Sequence, residues 1–235
     1  MTRQSLFGLR IASMLVHRIF HILLGVTSYS HGAELTSEIY QLAGGVQPQP
    51  LVMGDYAWKT QPKLAHKMLE ERAIVVYAPI DEINGRYRMQ MTGGGCVNRS
   101  LDSVYRLAIQ YQNLSRVSDV FKEVQYWPDA SILYVHAAVM KWHARMWFKL
   151  RPLPFADNDS ERVVLFEGIH GQFKGMRGEW RWQAQPRRKT LAIIRAEYNS
   201  SELPLPTVLM KIGLEFFMER SAKDVRTYLE TAALQ

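Results

Sequence analysis

From Val124 to Tyr198 apolar and polar residues alternate in runs separated by turn-forming residues, the pattern of half-buried strands. The stretch 131–154 alternates for most of its length and predicts one long strand. Met140, Trp142, Ala144, Met146 and Phe148 share one face of it, against Lys141, His143, Arg145 and Lys149. After the turn ADNDSE, residues 162–173 (RVVLFEGIHGQF) predict a second strand, and 175–184 a third. In the third, Met176, Gly178, Trp180 and Trp182 oppose Arg177, Glu179, Arg181 and Gln183. Residues 190–198 close the sheet. Upstream, Tyr87, Met89 and Met91 alternate with Arg86, Arg88 and Gln90, and Asn84-Gly85 is a two-residue hairpin signal that joins this run to AIVVYAP at 73–79. Ser100 is placed to cap a helix from Leu101, whose apolar stripe is Val104, Leu107 and Ala108, and a short helix or turn follows over Leu114 to Val120. Gly93–Gly95 are expected to form a bulge or a strand-to-helix bend. Beyond LPLP at 203–206 a helix is predicted over about 207–232, apolar around most of its circumference between Val208 and Met218.

Strands joined by short turns, flanked by short helices and closed by a long one, define an α+β fold with an antiparallel sheet. A strongly curved sheet gripping that last helix leaves a cavity between them. On the sheet, Trp142, Met146, Phe148, Phe166, Trp180, Trp182 and Tyr198 are the candidate wall residues. Leu209, Ile212 and Phe216, spaced by three and four, are the candidates on the helix. Large aromatics at strand spacing also fill ordinary cores. Small residues assigned to the same face (Ala138, Ala144 and Gly178) leave room for a ligand.

The N-terminus changes the picture of where such a protein works. Residues 1–33 hold Arg3, Arg10 and Arg18 and no acid, then an apolar run, then Ser28, Ser30, Gly32 and Ala33. That is the order of a secretory signal peptide, with cleavage between Ser30 and Ala33, and a start at Met14 would place Arg18 in the basic region. A membrane anchor and an amphipathic surface helix are the alternatives. The uninterrupted apolar run falls short of the roughly 18–20 residues of a spanning helix. Residues 34–83 are an extension that adds a helix and a strand, and 84–235 form the main domain. The chain carries 29 Lys and Arg against 22 Asp and Glu; without the first 33 residues the basic count falls to 26. So mild an excess suits an anionic surface or ligand and makes no nucleic-acid signature.

Catalytic chemistry has thin support. One cysteine, Cys96, excludes an intramolecular disulfide and a Cys-based zinc cage, and GGGC lacks the lysine of a phosphate loop. His136 and His143, seven apart on the strand expected over 131–154, belong on opposite faces and make no metal pair, and no cofactor is expected. His136, on the face of Trp142, Glu167 and His170 are the candidates for general acid or base, with ordinary hydrogen-bonded roles as the competing reading.

Residues 97–126, with the Val104-Tyr105 pair and Tyr111, and the later stretch 171–199, with its glycines, tryptophans and final strand, resemble the START-like helix-grip superfamily, near its polyketide-cyclase and coenzyme-Q-binding branch. The resemblance spans about 86–233. It implies a deep apolar cavity for a lipid, sterol, quinone or polyketide-like molecule. The expected function is a periplasmic or secreted carrier or sequestering protein, in transient contact with a membrane surface. A cyclase or dehydratase in the same cavity and an interaction protein with a filled core are the alternatives.

Overall fold

A computed structural model describes residues 34–52, 58, 61–139, 142–154, 160–203 and 207–233; the side chains of Val139, Val208, Leu209, Lys211 and Ile212 are outside that description. The segment read as a signal peptide therefore lies outside the described residues. Leu35–Gln235 packs as one unit.

The strands are β1 (Val75–Tyr77), β2 (Ile80–Ile83), β3 (Arg86–Val97), β4 (Phe121–Trp127), β5 (Ile132–Val139), β6 (Trp142–Pro152), β7 (Glu161–Gly171), β8 (Arg177–Gln185) and β9 (Lys189–Ser200). They form one sheet in the order β1-β3-β9-β8-β7-β6-β5-β4, with β2 also on β3, and every pairing is antiparallel. The helices are α1 (Ser37–Gly44), α2 (Pro62–Leu69), α3 (Leu101–Ala108), α4 (Leu114–Val117) and α5 (Thr207–Thr231), with a 3-10 turn at Tyr111–Asn113. None of the described helices is long and apolar enough to cross a membrane.

Three local expectations are corrected. The stretch 131–154 is a hairpin of β5 and β6, in which Ala137 faces Ala144 and Val139 faces Trp142. Alternation continues through both arms and hides the reversal between them. As a consequence Ala137 shares the inner face with Ala144, and Ala138 pairs with His143 on the outer one. Second, AIVVYAP is not the arm of the Asn84-Gly85 hairpin. β1 pairs with Thr92–Gly94, and β2 makes the tight hairpin, where Asn84 and Gly85 both adopt positive φ (51° and 70°), as a type I′ turn needs. Third, the three glycines neither bulge nor bend: β3 pairs with β9 without a break from Tyr87 to Val97. Their role is close approach on both faces. A Cβ on Gly93 would lie 2.9 Å from Met218 Cε of α5; one on Gly94 would lie 3.1 Å from Trp58 and 3.2 Å from Met68 Sδ of α2.

Residues 34–83 cover the outer face and extend the sheet. On α1, Ile39 and Ala43 pack with Ala130, Ile132 and Ile169. Trp58 and Met68 pack with Val75, Leu191 and Ile193. On the inner face, α3 is held to β7 by Asp102 and the buried Arg162, 2.9 Å apart. Ser100 is the N-cap of α3 by its extended backbone, but its hydroxyl bonds Ser103 Oγ at 3.0 Å and leaves the helix N–H groups uncapped. The C-terminal end of α5 is pinned. Glu230 accepts two bonds from Arg72 at 2.6 Å and one from the Asn98 N–H at 2.8 Å, and Arg99 donates to the Ala232 carbonyl at 2.8 Å.

Candidate ligand cavity

Between the sheet and α5 lies a cavity of about 320 Å³. Its floor is the inward face of the strands, where period-two alternation places Trp142, Ala144, Met146 and Phe148 of β6 side by side with Phe166 of β7 and with Trp180 and Trp182 of β8. The aromatic rings brace one another. Phe166 stands edge-on to Phe148 at 5.5 Å and tilted over Trp180 at 4.7 Å, and Trp142 meets Phe173 at 6.3 Å. The roof is Leu214, Phe217, Met218, Val225 and Leu229 of α5. Leu107, Tyr111 and Leu114 also line it, from the helical stretch between β3 and β4. Polar lining side chains are few: Gln110, Tyr111, Asn113, Ser221, Arg226 and Tyr228.

Six of the seven sheet residues read from the sequence stand in this wall: Trp142, Met146, Phe148, Phe166, Trp180 and Trp182. Tyr198 is buried but packs behind the wall, its ring 5.6 Å from Phe173 and its hydroxyl 3.4 Å from the Gln172 carbonyl. On α5, Leu209 and Ile212 fall among the side chains not described. Phe216 is a correction. It is 48% exposed and faces solvent, and Phe217 lines the cavity instead, edge-on to Phe121 at 5.8 Å. The buried stripe runs Met210, Leu214, Met218, Ser221 and Leu229, and apolar residues at nearly every position of 208–218 made the stripe through Phe216 equally plausible.

The three acid–base candidates are also corrected: His136, Glu167 and His170 all lie outside the cavity wall. His136 pairs across with Arg145 on the outer face, away from Trp142, because the β5–β6 turn fixes the register. Glu167 pairs across with Lys149 and Arg177, and His170 lies against Trp147 at 5.1 Å. His136 and His143, expected on opposite faces of one strand, are neighbours on that outer face, with Nε2 and Nδ1 3.0 Å apart. Among the described residues no group of three or more His, Cys, Asp or Glu is placed to hold a metal ion.

Burial, then the charges of Arg145 and His143, lower the pKa of His136 below its usual 6.5; Lys122 acts the same way and Glu123 opposes them. A histidine whose folded pKa is lowered takes up protons more readily when unfolded, so its contribution to stability is lost as pH falls below about 6.5. A His136→Gln variant is expected to show a smaller drop in urea midpoint between pH 7.5 and 5.5 than the parent protein. An identical drop in both would remove the assignment.

The outer helices, the unbroken antiparallel sheet and the long helix closed over an apolar cavity define a START-like helix-grip fold. No family model matches the sequence, and no curated protein matches it. Solved structures do. A STAR-related lipid transfer protein fragment from Xanthomonas axonopodis aligns with a TM-score of 0.50 at 10% identity, over 66% of this chain and 98% of that one. The Zhui aromatase/cyclase from Streptomyces sp. R1128 aligns at 0.49 and 13% identity, over 60% and 93%. A START superfamily protein from Mycobacterium smegmatis aligns at 0.47 and 14%, over 61% and 99%.

Proposed function

We propose that this protein binds an apolar or amphipathic small molecule (a lipid, sterol, quinone or polyketide-like compound) in the cavity under α5, as a carrier or sequestering protein. The observation that carries this reading is the chemistry of the wall: a space of about 320 Å³ bounded almost entirely by aliphatic and aromatic side chains, with no carboxylate, imidazole or lysine among the described lining residues. A single water fills about 30 Å³, so the space takes on the order of ten methylene-sized groups. Burial of each CH₂ contributes roughly 0.8 kcal/mol, so ten give about 8 kcal/mol, the free energy of micromolar binding. No specific polar contact is needed for that affinity. The lipid-transfer name of the Xanthomonas protein with the same fold agrees with this ligand class.

The basic, apolar and small-residue regions of 1–33 support an exported protein, periplasmic or secreted, that meets a membrane surface transiently to exchange its ligand. N-terminal sequencing of protein from its own host tests the export, which predicts a mature chain beginning between His31 and Glu34. Native mass spectrometry of the same sample tests the binding. The expected spectrum contains an adduct that organic extraction removes and N-phenyl-1-naphthylamine replaces. Protein that carries no adduct and takes up no N-phenyl-1-naphthylamine overturns the reading.

A further inference from the structure

The cavity is not uniformly apolar. Of its polar lining residues, Gln110, Tyr111 and Asn113 at the 3-10 turn and Tyr228 of α5 lie at one end, and their hydrogen bonds are only partly used. Asn113 Nδ2 donates to Gln110 Oε1 and to the Tyr228 hydroxyl, both at 2.9 Å, and the Tyr228 hydroxyl lies 3.4 Å from Gln110 Oε1. That leaves the Gln110 amide NH₂ and the Asn113 carbonyl oxygen without a partner among the described residues. Tyr111 is only 5% exposed, and its hydroxyl makes no hydrogen bond among the described residues. Its ring is fixed between Tyr126, edge-on at 4.9 Å, and Trp180, tilted at 5.9 Å. Tyr111 lines the cavity, so its hydroxyl is placed to donate to an oxygen of a ligand in that space.

We infer that the ligand carries a neutral polar end group, a hydroxyl or a carbonyl, which the Tyr111 hydroxyl and the unspent amide groups of Gln110 and Asn113 hold at the 3-10 turn. This rests on the cavity being a ligand site, as proposed above, and adds the class of head group. The neutrality of the groups that hold it decides neutral over anionic. Burial first, and then the neighbouring Tyr126 and Tyr105, raise the pKa of Tyr111, so the phenol stays protonated and is a donor at any physiological pH. The single cation in the described wall, Arg226, lies on α5, where its Nη1 donates to the Arg72 backbone carbonyl at 2.7 Å, and it is not among the groups hydrogen-bonded at the turn. A carboxylate held at the turn would lose its hydration and meet only neutral partners there, which is far more costly than desolvating an alcohol. The end group therefore takes its hydrogen from Tyr111 or Gln110 and, if it is a hydroxyl, gives one to the Asn113 carbonyl.

The test is displacement of N-phenyl-1-naphthylamine from the full chain at pH 8 by three competitors of similar apolar bulk: 1-decanol, decanoate and hexylbenzene, which has no hydrogen-bonding group. In the parent protein decanoate should bind at least about tenfold more weakly than 1-decanol, a comparison that needs no variant. Tyr111→Phe, which removes one oxygen, should weaken 1-decanol about fivefold, as the loss of one neutral hydrogen bond does, and leave hexylbenzene unchanged. Decanoate binding as tightly as 1-decanol overturns the inference, as does Tyr111→Phe weakening both 1-decanol and hexylbenzene alike. In both cases hydrophobic binding itself still stands. If neither the probe nor any competitor binds, the proposed function fails, and the inference with it.

Discussion

An Ala144→Phe variant is expected to bind ten-carbon ligands at least about 100-fold more weakly than the parent protein while melting at the same temperature or higher. Ala144 is fully buried near the start of β6, lines the cavity, and sits opposite another small residue, Ala137. The phenyl group adds six carbons, which at roughly 30 Å³ each occupy about 180 Å³. That is more than half of the 320 Å³ available. Loss of room for six methylene-sized groups removes about 5 kcal/mol of burial, enough to abolish micromolar binding. In a close-packed core the same substitution would cost about 1–3 kcal/mol in strain. Here it fills space with apolar atoms and removes no existing contact. Calorimetry and probe titration on the two proteins decide the matter. Strong destabilisation with ligand binding retained would mean that the space beside Ala144 is not where the ligand goes.

The strand faces around that position were legible because a strand has a period of two: once one inward residue of β6 or β8 is known, the others follow. Trp142, Met146, Phe148, Trp180 and Trp182 are inward for this reason. Periodicity is blind to direction, however. A tight reversal that preserves alternation looks like a continuing strand, so β5 and β6 read as one, and everything inferred from counting across the reversal (the faces of His136 and Ala138) came out inverted. The helix failed for a different reason. Its first half is apolar on nearly all sides, so spacing could not choose between Phe216 and Phe217, and packing against Phe121 makes the choice.

The polar part of the cavity left almost no trace in the sequence. Gln110, Asn113 and Tyr228 are 118 residues apart at the extremes and meet only because α5 returns over the 3-10 turn. Tyr111 was visible as part of a family resemblance, but not as an unpaired donor. Buried charge on the outer face was equally hidden. Glu179 is 2% exposed and bonded by Arg181 at 3.2 Å, with Arg195 3.7 Å away, whereas alternation with charged residues reads as a solvent-facing edge. Period-two patterns record which side a residue faces and carry nothing about what covers that side. The covering segments here come from 34–83, the stretch with the weakest pattern.

Gly178 makes the second large effect, because its missing side chain is what lets the wall close. It pairs across with Phe166, whose ring lies over the glycine and leans on Trp180 at 4.7 Å. A Cβ on Gly178 would overlap Phe166 Cζ and come within 2.5 Å of the Arg195 carbonyl oxygen of β9. The ring can swing away; the carbonyl belongs to a strand paired on both sides and cannot. Gly178→Ala is therefore expected to destabilise the protein by about 3 kcal/mol, at the upper end for overpacking, and to shift the aromatic floor of the cavity. A double-mutant cycle with Phe166→Leu separates the two contacts. If the ring carries most of the clash, Phe166→Leu should recover about 1 kcal/mol or more of the Gly178→Ala loss beyond additivity, and the residual loss belongs to the carbonyl. Strict additivity in urea unfolding would show that Phe166 does not rest on the glycine, and the floor geometry would then be wrong at its centre.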